Sequence, residues 1–499
     1  MDIALLIDGY ADQNRHRGWP RQRLLHECLR AAIRSGTLAA GTRLAASRAL
    51  AEELGLARNT VLYAYEQLAS EGYVTTDRRG TVVAVVAPDR KPAAQRHAAT
   101  PQAGLSQRAL ALRPQPGPAE MMGAFVPGVP ALDHFPLTLW RRMLERAWRT
   151  LTVEQLNYGD PAGEPLLRVA IADHLRAARG VVCDSAQVFI TDGTQSSLDL
   201  CMRALADVGD TIWIENPGYG GALAAARAAS LNVAGIDIDD DGMAAGADDW
   251  LLRPPRLVYT TPSHQYPVGG VLSLRRRLAL IAAARDAGAL VIEDDYDSEF
   301  RHDGAPLPAM QGLAPDAPVV YLGTFSKTMF PSLRIGFVVV PPWLAVSFAQ
   351  MRAQSSARGR VAEQLALAEF LRSGQFALHL RRMRRLYRQR RDALVAALEH
   401  HLGSVATVHG GSAGMHLALR FTLPELDDHA ISAQALEHGI VAEPLSGKDT
   451  QGVSGWRGLM LGYAQVPAER MEGLVKQLAA VVHLAAFAAN RSRRHQNRH

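Results

Sequence analysis

Lysine is almost missing from this chain. Its 499 residues hold 54 lysines and arginines, yet only Lys91, Lys327, Lys448 and Lys476 are lysine. Cysteine is as scarce: Cys28, Cys183 and Cys201 form no CxxC pair and no metal-ligand spacing. That excludes a disulfide framework or a zinc ribbon, predicts no metal site, and fits a reducing compartment. No uninterrupted apolar run reaches membrane-spanning length. The opening MDIALLIDGYADQNR has too short an apolar stretch and no basic lead for a signal peptide. These absences predict a cytoplasmic protein that avoids membranes. What is present is bulk: the length calls for more than one domain, and the 48% hydrophobic content can fill a large core. A net charge of +5 permits nucleic-acid contact without demanding it.

The first segment, residues 15–87, carries three helical patterns and a hairpin. Leu24, Leu25, Cys28, Leu29, Ala32 and Ile33 recur at helical spacing until Gly36 stops the run. Ser47 is placed to cap a second helix over 47–54, and a third opens at Arg58-Asn59-Thr60 and ends at Gly72. Strands over 73–76 and 81–85 flank the basic turn Asp77-Arg78-Arg79-Gly80. This is the order of a winged helix-turn-helix. The third helix would be the recognition helix, presenting Arg58, Asn59, Thr60 and Tyr63, with Arg43, Ser47 and Arg48 on the approach and Arg79 at the wing tip. A single arginine here reads as solvated surface; the joint placement favours DNA. The stretch GTRLAASRALAEELGLARNTVLYAYEQLASEGYV resembles the DNA-binding domain of the GntR family. Residues 88–118 are rich in Ala, Pro, Gln and Arg without apolar periodicity, and read as a flexible linker.

From residue 119 to 490 strand-like and helical runs alternate, the mark of an α/β domain with a mainly parallel sheet. Strands are expected near 187–191, 211–214, 257–260, 289–292, 319–322 and 335–339. Polar clusters follow them. Gly193-Thr194-Gln195 opens a helix and suits a phosphate, although such turns also merely cap helices. Tyr219 follows Pro217-Gly218, and four acids stand within Glu293-Asp294-Asp295-Tyr296-Asp297, an arrangement that asks for a cation. Lys327 lies in Gly323-Thr324-Phe325-Ser326-Lys327-Thr328, with Arg334 beyond it. Unlike arginine, a desolvated lysine loses its proton and attacks a carbonyl. On this stretch alone, a phosphate-bearing aldehyde cofactor and an idle loop lysine are equally good readings.

Asp294-x-Tyr296, Ser326-Lys327 and Arg334 together resemble fold-type I, class I aminotransferases that use pyridoxal 5'-phosphate. With the GntR-like head, the whole chain resembles MocR/GabR-type regulators. The resemblance implies a small C-terminal α+β subdomain, Lys327 as the Schiff-base lysine and Asp294 as partner of the pyridine nitrogen. It implies that Tyr296 bonds the ring hydroxyl and Tyr219 stacks on the ring. Gly193, Thr194, Gln195, Thr324, Ser326 and Arg334 would surround the phosphate, and Tyr158 would reach the phosphate of a partner subunit. It further implies a head-to-tail homodimer with exchanged heads, reading paired half-sites on double-stranded DNA.

Two positions depart from the enzymes. Tyr266 precedes the Pro-x-Gly turn where an asparagine is usual, and Met460 stands where an arginine clamps the substrate carboxylate, leaving Arg457 nearby to take over or to serve as surface. The expectation is a transcription regulator sensing a small amino compound, or the cofactor itself. The alternatives are a working aminotransferase with an autoregulatory head and a repressor that has lost the cofactor. Arg381 to Arg391 read as the solvated face of an amphipathic helix, and 491–499 as a disordered basic tail.

Overall fold

The computed structural model describes residues 6–7, 9–10, 18–78, 80–85, 104–110, 122–304, 307–355 and 359–496. The chain forms two compact units, Met1–Gly104 and Leu105–His499.

In the first unit, helices α1 (Arg21–Arg34), α2 (Ser47–Glu53) and α3 (Arg58–Ser70) precede strands β1 (Val74–Asp77) and β2 (Gly80–Val83). Leu25, Leu29 and Ile33 of α1 meet Leu50 of α2 and Val61, Ala64 and Leu68 of α3 in one core, as the helical period predicts. Two local expectations fail. Ala46, not Ser47, occupies the cap of α2, and no side chain caps that helix. Residues before α2, read as loop, pair with β2: Gly41 and Leu44 donate backbone hydrogen bonds to Val83 and Thr81, and Arg43 bridges Val82. The wing thus gains a third edge. Gly55 supplies the left-handed residue, φ +58°, that the tight α2–α3 turn requires.

The second unit is built on an eight-stranded sheet, ordered β3-β10-β9-β8-β7-β4-β5-β6. Its strands are β3 (Val188–Thr191), β4 (Thr211–Asn216), β5 (Asn232–Asp239), β6 (Gly242–Met243), β7 (Leu257–Thr260), β8 (Leu290–Asp295), β9 (Val319–Thr324) and β10 (Gly336–Val339). Pairs β4–β5, β4–β7, β7–β8 and β8–β9 are parallel; β10 runs antiparallel between β3 and β9. Successive side chains alternate between two cores, as a pleated strand demands. Ile214, Tyr259 and Ile292 face one, Trp213, Val258 and Val291 the other. Helices α4 (Pro165–Arg179), α5 (Thr194–Leu205), α6 (Gly220–Ala228) and α7 (Leu274–Asp286) belong to this layer system. All six expected strands are present, β8 running on through its acids.

The C-terminal part is α+β. An antiparallel sheet, β11 (Ala406–His409), β12 (His416–Phe421), β14 (Gly458–Gly462) and β13 (Glu443–Pro444) in that order, packs with α8 (Gln375–Leu402), α9 (Asp428–Glu437) and α10 (Ala468–Gln496). The arginines of α8 are less solvated than expected: Arg390 is buried, Arg384 donates to the Glu299 carbonyl at 2.5 Å, and Arg391 pairs with Asp303 at 2.9 Å. Helix α10 continues to Gln496 through most of the stretch read as a disordered tail. Its Ala468–Ala489 portion is long and apolar enough by composition to cross a membrane, yet Met471, Val475, Leu478 and Val482 are buried in the core shared with α8. Inside the expected linker, Gln107–Leu110 form a helical turn in contact with α6; residues 88–103 and 111–118 lie outside the described residues.

Candidate functional site

Period two sorts the acids of β8. Glu293 and Asp295 point to one side of the sheet and Asp294 to the other. Asp295 accepts a 2.8 Å bond from Nε of Arg179 and one of 2.6 Å from the Tyr321 hydroxyl, both at Oδ2. Its Oδ1 is also buried and unpartnered, so what sets it apart from Asp294 is the Arg179 ion pair and its place outside the Lys327 cavity. Glu293 caps the Met310 and Gln311 amides, and burial raises its pKa to about 7. Asp294 shares a face with Tyr259, whose hydroxyl donates to Oδ2 at 2.8 Å; Oδ1 is buried and unpartnered. Burial raises the Asp294 pKa to about 7 against the opposing Tyr259 bond.

Lys327 faces the same cavity from the loop after β9, which Phe325 and Met329 anchor in the core. Its Nζ donates to the Gly128 carbonyl at 2.8 Å. Gly128 has φ +72°, and a Cβ there would lie 2.7 Å from Nζ, so glycine is needed for the lysine to stand where it does. Burial lowers the Lys327 pKa, opposed by Asp297, Asp294 and Glu443.

A second cluster suits a phosphate. Helix α5 begins at Thr194 behind Gly193, with no side-chain cap, so its first amides keep their donor capacity. Gly193 and Gly336 approach so closely that a Cβ on Gly336 would lie 2.9 Å from the Gly193 Cα. The Arg334 guanidinium lies 3.3 Å from where a Gly193 Cβ would be. Thr324 and Ser326 are buried beside this loop.

Tyr219 and Tyr266 line the cavity with rings edge to face, centroids 5.3 Å apart. Tyr296 donates to the His264 carbonyl at 2.9 Å, and its oxygen also lies 3.1 Å from His264 Nδ1, leaving one lone pair to accept from a ligand. Gln265 ties the Pro217 and Tyr266 carbonyls and Glu215 together instead of facing the cavity. His264, Asp297 and His416 bring ligand-type atoms within 4.8 Å of one another. Hydrogen bonds account for several of them: Asp297 meets His264 Nδ1 at 3.1 Å, and His416 Nε2 meets the Pro267 carbonyl at 3.2 Å.

Lys327, Asp294, Tyr296, Tyr219 and Thr194 are thus gathered in one cavity. Gln195 instead holds the Gly221 carbonyl at 3.1 Å. Tyr158 is 88% exposed and lines an open cleft with Arg334, Arg352 and Arg360. Arg457 is exposed and does not line the cavity, so the expected carboxylate clamp is not placed there; its backbone carbonyl accepts from the Phe421 amide at 2.9 Å. Asp297, one of the four strand-end acids, lines it too, as do Gly128, Tyr259, His416 and Glu443, which had not been singled out. Only a period-two reading that puts Tyr259 and Asp294 on one sheet face could have found any of them.

In the first unit, Arg43, Arg48, Arg58, Asn59 and Tyr63 are exposed, and Ser47 and Thr60 are half-buried. The Tyr65 hydroxyl donates to the Ala45 carbonyl at 2.8 Å, fixing α3 against the lead-in to α2. Arg79 lies outside the described residues.

Comparisons agree with this division. Residues 22–83 match the model for bacterial regulatory proteins of the gntR family, and 129–478 that for aminotransferase class I and II. The chain is 40% identical over 474 residues to the probable rhizopine catabolism regulatory protein MocR of Rhizobium meliloti, covering 94% of this chain and 95% of that one. It is 35% identical to the pyridoxine biosynthesis regulator PdxR of Corynebacterium glutamicum, over 74% and 76% of the two chains. The crystal structure of LysN, the α-aminoadipate aminotransferase of Thermus thermophilus, complexed with N-(5'-phosphopyridoxyl)-L-leucine, superimposes with a TM-score of 0.69. The two are 26% identical, over 77% of this chain and 98% of LysN. The chain belongs to the MocR-type regulators, DNA-binding transcription regulators in which a gntR-family head is joined to a class I and II aminotransferase domain whose cofactor is pyridoxal phosphate.

Proposed function

We propose that this regulator carries pyridoxal phosphate on Lys327 and uses it to sense a small amino compound or the cofactor itself. When bound, the cofactor supplies an aldehyde that links covalently to an amine and a ring that withdraws electrons. The observation that carries the reading is the buried, unpartnered Oδ1 of Asp294 in the cavity that holds the Lys327 amine. A buried acceptor without a donor is costly, and a protonated ring nitrogen is the donor it lacks. Tyr259 keeps that carboxylate aligned through Oδ2. Burial lowers the Lys327 pKa, so more of its amine is in the neutral, nucleophilic form. Tyr296 accepts at the ring hydroxyl, Tyr219 covers the ring face, and Arg334, the α5 N-terminus, Thr324 and Ser326 hold the phosphate.

The DNA-contacting set is Arg43, Ser47, Arg48, Arg58, Asn59, Thr60, Tyr63 and Arg79. The active form is a homodimer with exchanged heads, each large domain completing its partner's site with Tyr158, and it reads paired half-sites in the cytoplasm. Ligand state biases domain arrangement, and so DNA affinity, as a two-state linkage. The head spans 15–87, the linker 88–118 and the sensing domain 119–490.

The intact Lys327–Asp294 pair also favours a second reading, turnover of an amine substrate. A mobility-shift assay on the upstream DNA, with and without pyridoxal phosphate and amines, tests the first reading. DNA affinity indifferent to both overturns it, and multiple turnovers with amino acids plus 2-oxo acids would establish the second.

A further inference from the structure

The far wall of the cavity comes from the C-terminal sheet. Ala418 of β12, Met460 of β14 and Glu443 of β13 are directly opposed Cα partners across three antiparallel strands. Opposed residues project from the same sheet face, so the three form one row. Met460 is fully buried in a small apolar cluster with Ala418 and Leu445, with Tyr266 and Trp456 packed against it. Glu443 lines the cavity. Its Oε2 is paired with Lys448, and Oε1 receives no hydrogen bond among the described residues.

Among the described residues, the lining carries three carboxylates, Asp294, Asp297 and Glu443, with Lys327 as its one lysine and no arginine. His416 adds an acceptor. Burial, with His264 and the two nearby lysines, pushes its pKa well below the ordinary value, and its Nε2–H is spent on the Pro267 carbonyl, leaving the other ring nitrogen as a lone pair. A ligand carboxylate entering here would lose its hydration and face the carboxylate of Asp297 and that of Glu443, whose charge is shared with Lys448, the ammonium lying 5.8 Å from the Tyr266 ring centroid. Hydroxyl and ammonium groups would meet acceptors.

We infer that this cavity selects a primary amine without a carboxylate, bearing hydroxyl or further amino groups that donate to Glu443. The inference rests on the proposed covalent site at Lys327 and adds to it the chemical class of the effector.

Matched pairs of probes test it on the full chain loaded with pyridoxal phosphate: serinol against L-serine, and putrescine against 4-aminobutanoate. Within each pair a hydroxymethyl or aminomethyl group replaces a carboxylate. Calorimetry and the cofactor's near-visible absorption both read binding. The carboxylate-free member is expected to bind at least about tenfold more tightly, the cost of one like-charge contact. Glu443→Gln narrows that ratio, and Met460→Arg, which places a guanidinium in the same row, shifts preference toward the carboxylates. Where Met460→Arg fails to fold, the near-isosteric Glu443→Gln decides. Equal or tighter binding of L-serine and 4-aminobutanoate overturns the inference, as does an unchanged ratio in Glu443→Gln. A loss of L-serine affinity in Lys448→Met would identify Lys448 as a carboxylate clamp instead, with the same consequence. If pyridoxal phosphate gives no near-visible band that depends on Lys327, the proposed function fails. Calorimetry on the same pairs then still reads the preference of the cavity, so the two failures are separable.

Discussion

The Tyr259 hydroxyl donates a 2.8 Å hydrogen bond to Oδ2 of Asp294, while Oδ1 of the same carboxylate is buried without a partner. One oxygen is held by the sheet and the other is left for a ligand. Tyr259→Phe removes the larger of two interactions, the other being with Lys327, that hold the Asp294 pKa down. Pyridoxal phosphate affinity should fall about tenfold or somewhat more near neutral pH, as for the loss of a bond to a charged group. It should recover partly as pH rises and the carboxylate ionises. Titration of the near-visible absorption across pH checks this, and an affinity equal to wild type at all pH values would count against the role given to Tyr259.

The same carboxylate ties stability to pH. Asp294 has a folded pKa of about 7 against an ordinary value of 3.8, so between those values the native state binds more protons than the unfolded chain. The contribution of Asp294 to the stability of the cofactor-free protein should therefore fall as pH rises through this window, as should that of Glu293, also raised to about 7, while His174 and His302, lowered to about 4 by burial, act in the opposite sense. Asp294→Asn, which cannot ionise, should flatten the fall. Thermal melts of both proteins between mildly acidic and neutral pH measure it; identical slopes would refute the assignment.

Gly128 leaves no room for a side chain. A Cβ would sit 2.7 Å from the Lys327 amine, at φ +72°. Gly128→Ala should cost about 1 kcal/mol or more in stability. It should also displace the amine, reducing the extent of covalent cofactor attachment seen by borohydride trapping and mass spectrometry. Full attachment in this variant would show that the Gly128 contact does not position the lysine.

Arg179 and Asp295 form a buried ion pair at 2.8 Å, and Arg179 also reaches Ser263 at 2.8 Å. Arg179→Met strands the carboxylate and should destabilise the domain by about 3–5 kcal/mol, as for a broken buried pair. Chemical denaturation reads this directly, and a loss under about 1 kcal/mol, typical of surface pairs, would mean that the pair is not the strut described.

On DNA, Arg58→Ala should weaken binding to the paired half-site by about 1–3 kcal/mol and relax sequence preference if it reads a base. Arg48→Ala should act evenly on all sequences and reduce the salt slope by about one if it meets a phosphate. Anisotropy titrations at several salt concentrations separate the two, and an unchanged affinity in Arg58→Ala would displace α3 as the recognition helix.

Much of this protein was legible in its residues. The three helices of the head and the six central strands follow from apolar periods of 3.6 and 2, which are local. Lys327 stood out because lysine is rare, and the acids of 293–297 because such a cluster at a strand end is costly; Asp294 and Tyr296 were picked out within it by the resemblance to class I aminotransferases. These are properties of short stretches, and no long-range information is needed to see them.

Other features depended on contacts between distant parts of the chain. Tyr259 looked like a strand residue until β7 lay beside β8 and placed it against Asp294. Asp295 resembled its neighbour Asp294 until the pleat turned it toward Arg179. The end of α10 read as tail because its last residues are basic, yet the helix propagates through them. Arg457 looked near enough to serve as a clamp, but proximity along a strand does not turn a side chain inward; Met460, three residues on, faces Tyr266 and stands opposite Glu443. The sequence by itself determined which chemistry the chain carries, because a rare lysine, a strand-end acid and a basic helix start are written residue by residue. The tertiary structure alone decided what that chemistry faces, because strand register and burial set the neighbours, and with them the charge, of every group in the cavity.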